Sequence, residues 1–262
     1  MRRAILFAAV LAAPVPAALA QTASGDARLT PRGWEGGVQA AHYHYEEPDL
    51  AKLTGNRGGV VGAYTFTDRR LWFSRIDARI SYGKLKYEGS GAQTGVPDWI
   101  GEIRAVAGRD FLAGGSLAIS PYAGLGYRYL YDDLRGYSST GAAGYRRYSN
   151  YLYAPVGLTL RINTGGRFVV APTVEYDAFI QGRQVTRLSD TGIAGYQDVS
   201  NEQTKGYGYR ANLMFEHDHW ALGPWLHYWS IKDSDTQCGG TICGLEPANW
   251  TREWGAELRY RW

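Results

Sequence analysis

The chain has 262 residues, with 28 Lys and Arg against 25 Asp and Glu, 20 Tyr, 9 Trp and 34 Gly. That length fits one large domain or two small ones. The charge balance, closer still without Arg2 and Arg3, excludes a strongly basic nucleic-acid binder. After residue 20 no apolar run is long enough for a spanning helix, so a membrane-embedded form has to be a closed barrel.

Met1-Arg2-Arg3, the apolar stretch Ala4 to Ala13 and the small-residue pattern Ala18-Leu19-Ala20 predict a signal peptide over residues 1–20. An anchor is disfavoured, because the run is short and contains Pro14 and Pro16. Residues 21–33 are polar and read as a flexible periplasmic lead-in; residues 34–262 read as one barrel.

From Trp34 the chain falls into alternating segments separated by turn-rich gaps. In the first, Trp34–Tyr45, Trp34, Val38 and Ala40 share one parity while Tyr43 and Tyr45 fall on the other, which a bulge near Ala41 would reconcile. The second groups Val60, Gly62, Tyr64 and Phe66. The third sets Trp72, Ile76, Ala78, Ile80 and Tyr82 against Arg75, Asp77, Arg79 and Ser81. After a gap at residues 88–98, Trp99, Ile103, Ala105 and Ala107 oppose Glu102 and Arg104. The fifth opposes Ile119, Ala123, Leu125, Tyr127, Tyr129 and Tyr131 to Tyr122, Gly124, Gly126 and Arg128.

Residues 132–148 read as a loop. The sixth strand then sets Leu152, Ala154, Val156, Leu158 and Leu160 against Tyr151, Tyr153, Thr159 and Arg161, and the seventh sets Val170, Val174 and Tyr176 against Thr173, Glu175 and Asp177. Residues 182–205 form the longest gap. Tyr207, Tyr209, Ala211, Leu213 and Phe215 oppose Gly208, Arg210 and Asn212 in the eighth strand; the ninth, Trp220–Ile231, is apolar on both parities and has no readable orientation. Pro121, Pro155, Pro172 and Pro224 lie inside these strands, where a missing N–H breaks a ladder. A bulge or the rim would accommodate three of them; Pro155 has no such explanation.

The last stretch, Trp250 to Trp262, is the clearest. Trp250, Trp254, Ala256, Leu258, Tyr260 and Trp262 share one face; Thr251, Glu253, Gly255, Glu257, Arg259 and Arg261 share the other. A soluble β-sandwich would explain the alternation but does not need aromatics at both ends of its apolar face. The terminal Trp262 with Leu258 and Tyr260 on its face resembles the C-terminal assembly signal of Gram-negative outer-membrane β-barrel proteins. That resemblance implies an all-β, closed antiparallel transmembrane barrel of about ten strands in the outer membrane, reached through a cleaved signal peptide. It also implies outer-membrane lipid and lipopolysaccharide as surroundings, and periplasmic chaperones and the barrel-assembly machinery as partners during biogenesis. The alternation of short and long gaps agrees with an even strand number, short periplasmic turns and longer outer loops.

The polar parity collects Arg75, Asp77, Arg79, Glu102, Arg104, Arg128, Glu175, Asp177, Arg210, Glu253, Glu257 and Arg259. In a lumen little wider than its own side chains these charges have to pair, so a structural ion-pair plug is expected, with a proton or ion path as the competing reading. Cys238 and Cys243 are the only cysteines, and their spacing in an oxidising compartment predicts a disulfide rather than a metal site. His217 and His219 flank Asp218 in a periplasmic turn, a metal or base candidate that more often is simply turn chemistry. His42, His44 and His227 lie towards the outer half, near Glu46, Glu47, Asp233 and Asp235. Strand number and rim acidity are similar to omptin proteases, although no omptin motif maps residue by residue. No Ser/His pattern of the lipid A deacylase kind is present. The expectation is a monomeric, non-enzymatic surface barrel with no cofactor, no metal and no nucleic-acid partner. It would serve envelope integrity or surface contacts. An omptin-like or lipid-modifying enzyme and a narrow passive pore are the alternatives.

Overall fold

A computed structural model describes residues 26–262. The signal peptide read at residues 1–20 and the first part of the lead-in lie outside the described residues. The rest is a closed antiparallel barrel of ten strands: β1 (Gly33–Glu47), β2 (Ala51–Thr67), β3 (Trp72–Gly89), β4 (Gly91–Arg109, continued by Phe111–Ala113), β5 (Leu117–Tyr137), β6 (Ala143–Gly165), β7 (Phe168–Thr186), β8 (Gly206–His217, extended by Val199–Gln203), β9 (Trp220–Ile231) and β10 (Asn249–Arg261). Each strand pairs with its neighbours in sequence. Twelve residue pairs from Glu35↔Arg261 to Glu46↔Trp250 join β1 to β10, so no edge is left to face lipid.

The alternation becomes a physical partition. Val38, Val60, Ile80, Leu125, Val156 and Val174 point outward and are each more than half exposed. Trp34, Tyr64, Trp72, Trp220 and Tyr260 girdle the periplasmic end, and Tyr82, Trp99, Tyr129, Tyr209 and Trp250 the other. Above Tyr82 the outward positions of β3 become Lys84, Lys86 and Glu88, which marks where the wall leaves the lipid band.

Several sequence readings change. β1 carries no bulge: Tyr43 and Tyr45 keep the parity of Glu35 and Gln39 and point into the lumen, so its outer half places aromatics inward. The ninth strand directs Trp220, Leu222 and Leu226 outward and Trp225, Trp229 and Ile231 inward. It is apolar on both parities because its inward side lines an aromatic plug. Residues 88–98 and most of 132–148 are strand, leaving only Ser90 and residues 138–142 as tips. Bulges do occur, at Gly95 opposite Leu85 and Lys86, and at Ile180 opposite Leu152 and Tyr153.

The four prolines share one solution. Each keeps its pairing with the following strand: Pro121 with Leu158, Pro155 with Asp177, Pro172 with Leu213 and Pro224 with Ala256. Towards the preceding strand the ladder skips the rung at each proline and then resumes in the same register. A missing donor therefore opens a local gap in one ladder without costing a buried, unpaired N–H. Pro121 divides β4 into its two pieces in this way. On the inner wall, the ring of Tyr153 covers its cross-strand partner Gly126, and that of Tyr122 covers Gly157. A Cβ at either glycine would meet the tyrosine ring at under 2.5 Å.

The described part of the lead-in is held in place rather than free. Thr30 donates from N and Oγ1 to Asp110 (2.8 and 2.7 Å), Arg28 Nη1 donates to the Gly114 carbonyl, and Ala27 packs on Val169, Ala171, Met214 and Ala221. The segment crosses the periplasmic mouth.

The partition predicts a contrast between neighbours. Val174, 60% exposed on the lipid face, should lose about 2–4 kcal/mol of folding stability in bilayers when replaced by Arg. Thr173→Arg, facing the lumen, should escape that lipid penalty. Urea titration of refolding into vesicles measures both; equal losses would mean that the inward and outward sets are misassigned.

Candidate functional site: the barrel lumen

The inward face of a narrow barrel has room for side chains and little else. Here it stacks ion pairs below an aromatic and aliphatic plug. At the periplasmic mouth Arg261 bridges Glu35 (2.5 Å) and Glu216 (2.7 and 2.9 Å), Arg161 forks onto Glu216 (2.7 and 3.0 Å), Arg75 reaches Glu35 (2.5 Å) and Arg259 pairs with Glu257. A cavity of about 150 Å³ lies among them.

The next layer centres on Glu102. Its carboxylate accepts from Arg79 Nε (2.7 Å), from both terminal nitrogens of Arg210 (2.5 and 2.9 Å) and from the Tyr153 hydroxyl (2.7 Å). Arg210 Nε also contacts Asp177 (2.6 Å) and Glu175 (3.1 Å). Arg104 joins Glu175 (2.6 Å) to Asp77 (2.9 Å), while Arg79 and Arg128 each donate to Glu253 at 3.1 Å. These contacts bring together nine charges from β3, β4, β5, β7, β8 and β10 into one continuous network. A second cavity, about 70 Å³, lies within this layer beside His227.

Above it aromatic and aliphatic side chains fill the lumen. Tyr43, Leu53, Leu85, Val96, Ile100, Leu130, Tyr151, Tyr153, Trp229 and Ile231 form one buried cluster. Arg57 is wholly buried in it, with its guanidinium 3.3 Å from the centre of the Tyr43 ring and paired with Asp98. Such a cation is tolerable in a low dielectric only with a carboxylate and a π face beside it.

All twelve charges read from the sequence as a lumen set line this interior. Glu35, Arg57, Asp98, Arg147, Arg161, Glu216, Glu246 and Arg261 were missed. Arg161 and Arg261 lay on the polar parity and could have been taken from it; Arg57, Asp98 and Arg147 lay in stretches read as gaps. Cys238 and Cys243 are disulfide-bonded across a small hairpin, Gln237–Gly239 with Ile242–Gly244, in the loop between β9 and β10.

The histidines do not assemble a site. His44 pairs with Glu46 (2.9 Å) and Thr54 (3.1 Å) and stacks on Trp250, and His42 contacts Asn56 (2.9 Å), all on the outside of the wall. His227 faces the lumen below the plug, on Trp225. His219 contacts the Arg261 carbonyl, and Asp218 pairs with Arg167, as turn residues.

No protein-family model and no curated protein matches the chain. Solved structures do. The outer membrane protease OmpT from Escherichia coli matches with a TM-score of 0.59 at 12% identity, over 89% of this chain and 98% of that one. The chain has the outer-membrane β-barrel fold. Neisserial surface protein A (TM-score 0.35, 15% identity, 88% of this chain and 97% of that one) and the attachment invasion locus protein Ail of Yersinia pestis (TM-score 0.32, 12% identity, 88% and 100%) also match, with poorer superposition. At these identities the likeness is one of fold.

Glu102 is the group whose loss should cost this outer-membrane barrel most. Glu102→Ala leaves Arg79 and Arg210 short of a carboxylate in a buried site, and should destabilise the barrel by about 3–5 kcal/mol. Denaturant unfolding in detergent or vesicles checks this; a loss under about 1 kcal/mol would mean that water already solvates these arginines.

Proposed function

We propose that this chain is a monomeric outer-membrane protein of a Gram-negative bacterium with a plugged, non-conducting lumen and no enzymatic activity, acting through its outer loops in envelope integrity or surface contacts. The observation that carries this reading is the buried cluster across the outer half of the lumen, from Tyr43 and Leu53 through Ile100 to Trp229. A water column cannot pass a layer packed with aromatic and aliphatic side chains, and the charged layer beneath it is internally paired. The strands of β3 to β7 rise above the aromatic girdle, which gives the protein an outer wall that lipid does not cover.

The hydrolytic alternative asks for a base and an acid facing a cleft at the outer mouth. His44 and Glu46 stand outside the wall and His227 lies beneath the plug, so neither position offers substrate access. The protease activity named for OmpT belongs to that protein and does not transfer through a shared barrel.

Planar-bilayer recording on the refolded protein tests the proposal, alongside incubation with a mixture of unstructured peptides. No stepwise conductance and no cleavage are expected. Stable conductance whose cation/anion preference changes in Glu175→Gln or Arg210→Gln would make the chain a pore; cleavage lost in His227→Ala would make it an enzyme.

A further inference from the structure

The loop from Lys232 to Ala248 closes the outer mouth, and one of its side chains reaches inside. At its neck Ser234 N donates to the Glu246 carbonyl (3.0 Å), Glu246 N donates to Ser234 Oγ (2.7 Å) and Ala248 N donates to Asp233 (2.5 Å). Its disulfide hairpin leans on the loop between β7 and β8 through Gln197 N to the Gly239 carbonyl (3.2 Å) and Thr241 N to the Gly195 carbonyl (3.1 Å). From the neck the Glu246 side chain turns into the mouth, where it is buried.

What it meets there is short of positive charge. Arg147 Nη1 contacts Glu47 Oε1 (2.5 Å) and Glu246 Oε1 (3.5 Å), and Arg147 Nε lies 3.7 Å from Asp132. Tyr45 Oη is 2.7 Å from Glu47 and 3.3 Å from Glu246, and its single proton can serve only one of them at a time. One guanidinium thus faces three buried carboxyl groups. The remaining titratable neighbours are Tyr145 and Tyr151 on β6 and, beyond Asp132, the Arg57–Asp98 pair.

We infer that Glu246 is a pH latch for the outer loop: protonated, it pins residues 232–248 into the barrel mouth, and ionised, it is repelled by Glu47 and Asp132 and the loop is released. Burial pushes the Glu246 carboxyl up to about 7; Arg147 opposes the shift and Glu47 adds to it. A carboxyl raised above its free value stabilises the closed form below that free value. The contribution is lost as pH rises through about 7. The loop is therefore held in mildly acidic surroundings and loosened above neutrality. The latch concerns the same outer mouth as the proposed contact surface, but does not depend on what the loops touch.

Hydrogen exchange on the refolded full-length protein tests it. Protection factors for residues 234–248, corrected for intrinsic exchange, should fall roughly tenfold or more between pH 5.5 and 8.5, while the barrel strands stay protected. Glu246→Gln, a permanent stand-in for the protonated side chain, should remain protected at both pH values. Glu47→Gln, which removes the repelling carboxylate, should restore protection at pH 8.5. The drop should persist in His42→Gln/His44→Gln, because those rings lie on the outside of the wall. Unchanged protection in the wild type, a drop that survives Glu246→Gln, or a drop abolished by the histidine pair would each overturn the latch.

Discussion

The structure depends on one constraint: arginine and carboxylate side chains enclosed in a narrow tube have to satisfy one another. Glu102 shows how. It sits between Arg79 and Arg210 with Tyr153 on its remaining lone pair, so neither its own charge nor those of the two guanidiniums is left without a partner. Arginine suits this role because its planar fork can bridge two carboxylates from different strands. Arg210 does so between Glu102 and Asp177, and Arg261 between Glu35 and Glu216. These bridges cross the lumen, so they brace strands that are not hydrogen-bonded neighbours.

The two halves of the tube satisfy the constraint differently. The periplasmic half keeps small polar cavities among its ion pairs. The outer half removes water with Trp229, Tyr153 and Ile100, and admits Arg57 only against Tyr43 and Asp98. The outermost layer then carries three carboxyl groups on Arg147. A surplus of acid at the sealed mouth gives the cap a titratable contact that the paired layers below do not have.

Much of the barrel was legible in the sequence because the lipid face and the lumen impose a period of two with opposite chemistry. β3, β6 and β10 read correctly for that reason: Ile76, Leu158 and Leu258 alternate with Asp77, Thr159 and Arg259. Legibility failed where the chemistry of the two faces converged. β9 turns Trp225 and Trp229 inward, so aromatic content no longer distinguishes lipid from lumen. β1 does the same with Tyr43 and Tyr45, which mimics a bulge. Above the lipid band the outward face turns polar, and the outer ends of β3 to β7 looked like loops. Among the charges missing from the lumen set, Asp98 and Arg147 come from these outer segments and Arg57 from the outer end of β2. Closure of the mouth by Glu246 is set by loop packing and has no periodic signal.

The central claim is that the outer half of the lumen is closed to water while the periplasmic half is not. Single cysteines at Ile100, within the plug, and at Thr173, beside both periplasmic cavities, test it directly, since the two native cysteines are already bonded. A small charged methanethiosulfonate reagent applied to refolded protein should label Thr173→Cys and leave Ile100→Cys unmodified. Rapid labelling of Ile100→Cys in a folded barrel would mean that water crosses the plug, and would contradict the account.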